Sequence, residues 1–91
     1  MKDLKELRVE IDELDHDIQR LFEKRMQVAA DIAAYKKEKG LPVLDSTRET
    51  EKINSLKASA SDAFMAGGIA RLYETLMAIS RDYQKERMNH D

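Results

Sequence analysis

An apolar stripe along the first third of the chain constrains the fold more than any other feature of the sequence. Its members recur at alternating intervals of three and four residues, which is the period of one face of an α-helix. No proline or glycine interrupts the stretch from Asp3 to Glu38, and Gly40 and Pro42 then predict a stop. We therefore predict a first helix over residues 3–39. The stripe consists of Leu4, Leu7, Ile11, Leu14, Ile18, Leu21, Val28, Ile32 and Tyr35, with Arg25 in the place of one apolar member.

The length of this helix predicts a dimer. At 1.5 Å per residue the helix spans roughly 50 Å, whereas a compact globule of this chain length has a diameter of only about 30 Å. The helix does not fit inside one such globule. The most economical arrangement is a homodimer in which the two first helices lie along each other and each extends into the core of the partner.

Two shorter helices are predicted after the first. Residues 46–58 begin with the capping-box pattern Ser46-Thr47-Arg48-Glu49, and Glu49, Ile53 and Leu56 share one face. Asp62 is a suitable cap for a third helix over residues 63–87. We therefore expect an all-α fold with one long and two shorter helices in a single domain, residues 1–91.

The third helix carries two parallel rows of side chains. One row is an apolar stripe from Met65 to Tyr83, and the second begins at Tyr73 and turns polar at Ser80 and Gln84. The pair Gly67-Gly68 disfavours the helix by about 1 kcal/mol per glycine relative to alanine. A start at Gly68 is therefore an alternative to the start at residue 63.

Composition excludes several classes of function. The chain of 91 residues has no cysteine and a net charge of −2, so disulfides, thiolate chemistry, structural zinc and a general basic surface for nucleic acid are not expected. No apolar run approaches membrane-spanning length and the start lacks a signal core. We expect a cytoplasmic protein that binds neither nucleic acid nor membrane.

Three cations on or beside the apolar stripe are the first candidates for a binding site. Burying the Arg25 guanidinium without a partner is costly, and its planar fork suits a carboxylate, so a neighbouring acid or a ligand must supply an anion. Lys36 lies eleven residues on, near the same face, and both cations can reach into one pocket. Arg8 is about 25 Å from Arg25 along the helix, but in an antiparallel dimer the partner's Arg8 can lie beside Arg25.

Each candidate also has a purely structural interpretation. Arg25 can fix the register or the oligomeric state of the helix pair, or form an interhelical salt bridge, and Lys36 can be a solvated side chain at the helix end. Asp45, Arg48 and Glu49 can belong to the helix start, because acids in the first turn favour its positive end and Glu49 completes the cap. Ser80 and Gln84, four residues apart, can hydrogen-bond to each other.

Taken in order, these positions resemble the all-helical (type II) chorismate mutases. The resemblance runs from Leu4 to Gln84. It rests on five motifs at the family's spacings, namely Leu7-Arg8-x-x-Ile11-Asp12-x-Leu14-Asp15, Lys24-Arg25-Met26-x-Val28-Ala29, Lys36 before the turn, Pro42-Val43-x-Asp45-x-x-Arg48-Glu49 and Ser80-x-x-x-Gln84. The sequence departs from the family pattern at Gly67-Gly68.

The resemblance implies an intertwined dimer of three-helix chains that converts chorismate to prephenate for phenylalanine and tyrosine biosynthesis, without cofactor or metal. It implies the following roles. Arg25 and the partner's Arg8 hold the two substrate carboxylates, supported by Arg48 and Ser80; Lys36 and Gln84 donate to the ether oxygen of the breaking bond; and Glu49 and Asp45 hold the ring hydroxyl.

Two other functions stay open at this point. An isochorismate pyruvate-lyase of the same fold uses a similar cationic pocket, and the sequence does not separate the two activities. A helical dimer without catalytic activity, acting in ligand sensing or as a scaffold, is the alternative from another class.

Overall fold

Three helices make up the chain. The computed structural model describes residues 1–90, without the side chain of His90, and these residues form α1 (Leu4–Lys39), α2 (Ser46–Ala58) and α3 (Ala63–His90) with no strand. The predicted all-α fold of one long and two shorter helices is confirmed. The third helix continues beyond residue 87, where the prediction ended it. The predicted domain also includes Asp91, which lies outside the described residues.

Local capping interactions set both ends of α1. The Asp3 carboxylate accepts a hydrogen bond from the backbone N–H of Glu6 at 2.9 Å, which satisfies one of the free donors at the helix start. Gly40 follows the last turn with φ of 69°, the left-handed conformation that glycine adopts without steric cost. The N–H of Leu41 then bonds back to the carbonyl of Lys36 at 2.8 Å, which closes the helix end.

The start of α2 differs from the predicted capping box. Asp45, not Ser46, is the cap, and its Oδ1 accepts from the backbone N–H of Arg48 at 3.0 Å. Ser46 is the first helical residue, so Glu49 lies one position too far into the helix to complete a capping box. The prediction that Glu49 completes the cap is therefore wrong, and its carboxylate is directed toward α3 instead.

The start of α3 at Ala63 excludes the alternative start at Gly68. Asp62 Oδ1 accepts from the backbone N–H of Met65 at 2.8 Å, so the first turn is capped well before the glycine pair. The helix passes through Gly67 and Gly68, and the position of an added Cβ at either residue has no heavy atom within 4 Å. Neither glycine is needed for close packing inside the chain.

Helix α3 packs against both other helices. The buried residues of α1 are Met26, Ala29 and Ala33, and the buried residues of α3 come from its second row. Alanine side chains let two helices approach closely. The three buried members of that row are Met77, Ser80 and Gln84.

The apolar stripe of α1 is exposed in the single chain. Ile18 is 66% exposed and Leu14 58%, and Leu72 of α3, from the apolar stripe of that helix, is 55% exposed. No large side chain among the described residues is fully buried. The single chain therefore leaves a long apolar surface uncovered. The exposed members on α1 are Leu4, Leu7, Ile11, Leu14, Ile18, Leu21, Val28, Ile32 and Tyr35.

The molecule is elongated because of α1. Its principal extents are 56 × 28 × 14 Å and its radius of gyration is 16.5 Å, against about 12 Å for a compact chain of this length. Among residues 1–90, no helix is both long and apolar enough to cross a bilayer.

Candidate active site

A cavity of about 340 Å³ opens between the three helices. The second half of α1, the loop before α2, the first turns of α2 and the second half of α3 contribute to its wall. Seven of the eight candidates from the sequence line it. The lining residues are Arg25, Val28, Ala29, Ile32, Lys36, Val43, Asp45, Arg48, Glu49, Lys52, Met77, Ser80, Arg81 and Gln84.

The cavity is strongly cationic although the chain is not. Five cationic side chains and two carboxylates line it, so the formal charge of the lining is +3, against −2 for the whole chain. Like charges at this density repel one another unless an anion lies between them. The lining therefore favours a small ligand with more than one negative charge. The five cations are Arg25, Lys36, Arg48, Lys52 and Arg81.

Arg25 is half-buried in this cavity and forms no ion pair within residues 1–90. Its guanidinium carbon lies 5.8 Å from the centre of the Tyr73 ring of α3, a distance at which a cation is attracted to the ring face. The sequence predicted that either a neighbouring acid or a ligand supplies an anion to Arg25. No such acid pairs with Arg25 in the described part of the chain. A ligand carboxylate fits the bidentate donors of this guanidinium.

Lys36 is tied to the loop at the end of α1. Its Nζ donates to the backbone carbonyl of Val43 at 2.8 Å, across the turn that Gly40 initiates. An ammonium group carries three N–H donors, so two remain for a ligand. The contact with Val43 restricts the long side chain and fixes where those donors lie.

Ser80 and Gln84 form a buried pair on α3. Gln84 Nε2 donates to Ser80 Oγ at 3.2 Å, as the structural interpretation of their spacing predicted. Gln84 is only 8% exposed, and its Oε1 has no partner among the described residues. The amide still has one N–H free, and a buried unpaired oxygen costs about 1–3 kcal/mol. The hydrogen-bonding groups of the Gln84 amide are thus not all paired by contacts within the described residues.

Asp45 and Arg48 lie at the exposed rim of the cavity. The two residues are joined by the hydrogen bond that caps α2, in which the backbone N–H of Arg48 donates to Asp45 Oδ1. The Arg48 guanidinium forms no ion pair within residues 1–90. The cap thus engages only one carboxylate oxygen of Asp45, and the guanidinium of Arg48 is available to a ligand.

Arg8 is the one candidate that the single chain does not bring to the cavity. It is exposed on the first half of α1 and is absent from the lining. Seventeen residues of helix separate it from Arg25, about 25 Å along the axis. Its predicted contribution to the site of a partner stays a prediction.

Two charged cavity residues were missed from the sequence. Arg81 forms an ion pair with Glu49 that joins α3 to α2, and Lys52 lies one turn after Glu49 on α2. Helical spacing contained a signal for Arg81, because it follows Met77 by four residues and precedes Gln84 by three. Its partner could not be found from spacing alone, because the contact joins two helices.

Comparison with known proteins assigns the chain to a family. The model of type II chorismate mutases matches residues 7–85 of this chain. The chain belongs to the type II chorismate mutase family. The resemblance stated from the sequence motifs is therefore confirmed, and the match includes every candidate site residue.

Two known proteins are similar to this chain. The T-protein of Haemophilus influenzae is 38% identical over 77 residues, which are 85% of this chain and 20% of that protein. The chain therefore spans about one fifth of the length of that relative. The structure of chorismate mutase (form II) from Thermus thermophilus superimposes with a TM-score of 0.87 at 28% identity, covering 92% of this chain and 96% of that one.

Proposed function

We propose that this chain catalyses the intramolecular [3,3] rearrangement of chorismate to prephenate. The observation that carries the proposal is the cavity lining with a formal charge of +3, in which Arg25 has no carboxylate partner within residues 1–90. Chorismate carries two carboxylates, so it supplies the anions that this lining calls for. Membership of the type II family supports the same substrate.

The reaction needs no nucleophile, because one C–O bond breaks as one C–C bond forms within a single molecule. Catalysis then comes from holding the chair-like conformer and from donors directed at the ether oxygen, which gains negative charge in the transition state. No proton has to be removed, and no electrons enter or leave. The reaction therefore requires no cofactor.

We assign the ether oxygen to Lys36 and Gln84. Lys36 has two N–H donors left beyond its bond to Val43, and Gln84 has one left beyond its bond to Ser80. Gln84 is buried, so its hydrogen bond acts in a medium of low dielectric constant, where it is worth more than in water. These two side chains come from α1 and α3, which pack against each other.

The substrate carboxylates and the ring hydroxyl are assigned to the remaining candidates. Arg25 receives one carboxylate, with Arg48 and Ser80 in support. Glu49 and Asp45 accept from the ring hydroxyl, since both carboxylates line the cavity at the start of α2.

We further propose that the second carboxylate is held by the partner's Arg8 in an intertwined homodimer. The exposed apolar stripe of α1 and the 56 Å length of the molecule support this arrangement. Two copies that pair along the stripe would bury it, and an antiparallel pairing brings the first half of one α1 to the second half of the other. A cytoplasmic location stays a prediction from the sequence.

The direct test is an assay of the purified chain with chorismate. We expect chorismate absorbance to fall and prephenate to accumulate in buffer that contains a chelator and no added cofactor. The same chain is offered isochorismate in parallel. Formation of salicylate, with no prephenate from chorismate, would assign the lyase activity instead, and no turnover of either compound would favour a sensing or scaffolding dimer.

Removing one donor tests the electrostatic mechanism. We expect Lys36→Ala to lower kcat by about 100- to 1000-fold, the usual effect of losing a donor to a developing oxyanion. Lys24→Ala is the matched control, because Lys24 is an exposed lysine on the same helix and does not line the cavity. Equal rates for the two variants would contradict the role of Lys36.

A further inference from the structure

The ion pair between Arg81 and Glu49 lies in the cavity wall and was predicted neither by the family resemblance nor by helical spacing. Arg81 lies on α3 next to Ser80, and Glu49 lies in the first turns of α2. Their side chains are only 29% and 25% exposed, so solvent screens the pair less than it screens a surface pair. The contact therefore joins two walls of the cavity at a place where charge acts strongly.

Arg81 differs from the other four cations of the cavity. Arg25, Lys36, Arg48 and Lys52 form no ion pair within residues 1–90, whereas Arg81 is committed to a carboxylate. Four cations of the cavity are thus available to an anionic ligand, whereas the fifth, Arg81, binds a carboxylate of the protein itself.

Glu49 has a competing partner on its own helix. Lys52 lies three residues on, a spacing at which opposite charges on a helix attract each other, and both residues line the cavity. The contact with Arg81 draws the carboxylate across to α3 instead. Arg81 Nη1 engages Oε1 of Glu49, which leaves Oε2 of the same carboxylate to accept from a hydroxyl group.

We propose that Arg81 is a positioning residue that fixes the Glu49 carboxylate as the acceptor for the substrate's ring hydroxyl and thereby selects between dicarboxylates that differ in the position of that hydroxyl. The proposal rests on the function proposed above. Chorismate and isochorismate are such a pair, because their hydroxyl groups occupy different ring positions. A fixed acceptor discriminates between them, since the wrong isomer leaves an oxygen of the part-buried Glu49 carboxylate without its donor.

The test compares Arg81→Leu with Arg81→Lys. The leucine variant removes the cation, and we expect its kcat/KM for chorismate to fall by about 10- to 100-fold, the usual effect of losing an oriented hydrogen bond to a charged group. We expect the preference for chorismate over isochorismate to fall by about 10-fold or more on the same grounds. Arg81→Lys keeps a cation and should restore part of both.

Where isochorismate is not turned over, its inhibition constant is compared with the KM for chorismate and gives the same preference. Arg71→Leu is the matched control, because it removes an exposed arginine from the same helix outside the cavity. In a Glu49→Gln background, adding Arg81→Leu should change kcat/KM by no more than about 2-fold, because residues that act as one unit are not additive.

Any one of the following results would overturn the proposal. One is a kcat/KM for Arg81→Leu that falls equally for both compounds or matches the Arg71→Leu control. Another is a full additional loss in the Glu49→Gln background. If Arg81→Leu does not fold, Arg81→Gln replaces it, and failure of every variant without a cation at this position would make Arg81 a structural brace.

The outcomes also separate this proposal from the function on which it rests. A wild-type chain that converts chorismate, combined with unchanged selectivity in Arg81→Leu, overturns only the role of Arg81. A wild-type chain that neither converts nor binds either compound overturns both proposals.

Discussion

Arg25 carries a permanent charge in a half-buried position without a neighbouring carboxylate in the described part of the chain. It lies over the ring of Tyr73, and a cation–π contact contributes only about 0.5–2 kcal/mol. Retaining a guanidinium in an apolar row costs stability that leucine would not cost. The presence of an arginine at this position is therefore better explained by binding of an anionic ligand than by a contribution to folding stability.

We therefore expect Arg25→Leu to leave the stability of the chain unchanged or higher while kcat/KM falls by about 100-fold or more, since truncating one partner of a buried charge pair costs about 2–5 kcal/mol. Thermal unfolding without substrate and steady-state kinetics measure the two effects separately. Arg20→Leu is the control, because Arg20 is exposed on the same helix and outside the cavity. A large loss of thermal stability in Arg25→Leu would instead identify Arg25 as part of a structural ion pair.

The helices show which features of the fold follow from sequence alone. Apolar periodicity and the stop at Gly40 predicted α1, because both depend on residues that are neighbours in the chain. The choice between Asp45 and Ser46 as the cap of α2 could not be made this way, because both residue types cap well. Because the cap is Asp45 and not Ser46, Glu49 takes no part in capping, and its carboxylate contacts Arg81 of α3.

Packing between the helices limited the prediction of the site in the same way. Spacing placed Ser80 and Gln84 together, because a helix brings residues four apart onto one face. It could not show that Arg81 meets Glu49, because that contact depends on how α2 lies against α3. Nor could it show that the second row of α3, rather than its apolar stripe, is the one buried within the chain.

The glycine pair of α3 gives a prediction about a whole helix. Both glycines are helical, and an added Cβ at either position meets no heavy atom within 4 Å. We expect Gly67→Ala to raise the free energy of unfolding by about 0.5–1 kcal/mol, because alanine loses less backbone entropy in a helix. Urea unfolding at fixed protein concentration measures the change.

Gly40→Ala provides the contrast for this prediction. Gly40 has a φ of 69°, a conformation that costs alanine roughly 1 kcal/mol or more. The two substitutions should therefore shift the urea midpoint in opposite directions. A loss of stability in Gly67→Ala would show that another chain packs closely against this part of α3.

At the scale of the molecule, the single chain buries few of its described residues. Its buried residues cluster between the second halves of α1 and α3, beside the cavity. The first half of α1 carries Leu4, Leu7, Ile11, Leu14 and Ile18, all exposed. An apolar surface of this extent is unusual for a monomer and is typical of an interface. In the proposed dimer, this interface is what would bring the partner's Arg8 to the cavity.

Mixing two inactive variants tests whether two chains build each site. In an antiparallel dimer, a chain with Arg8→Ala keeps its own Arg25, and a chain with Arg25→Ala keeps its own Arg8. A heterodimer of the two has one site with both arginines and one site with neither. Random mixing of equal amounts gives heterodimers as half of all dimers, so about one quarter of the wild-type sites should be restored.

The control and the contradicting result follow from the same geometry. Each variant alone should stay inactive at the concentration of the mixture, since every one of its sites lacks one arginine. If Arg8 served the site of its own chain, each chain in the heterodimer would still lack one arginine, and mixing would restore no activity. Recovery must also depend on subunit exchange, so activity should rise after the two variants are unfolded and refolded together.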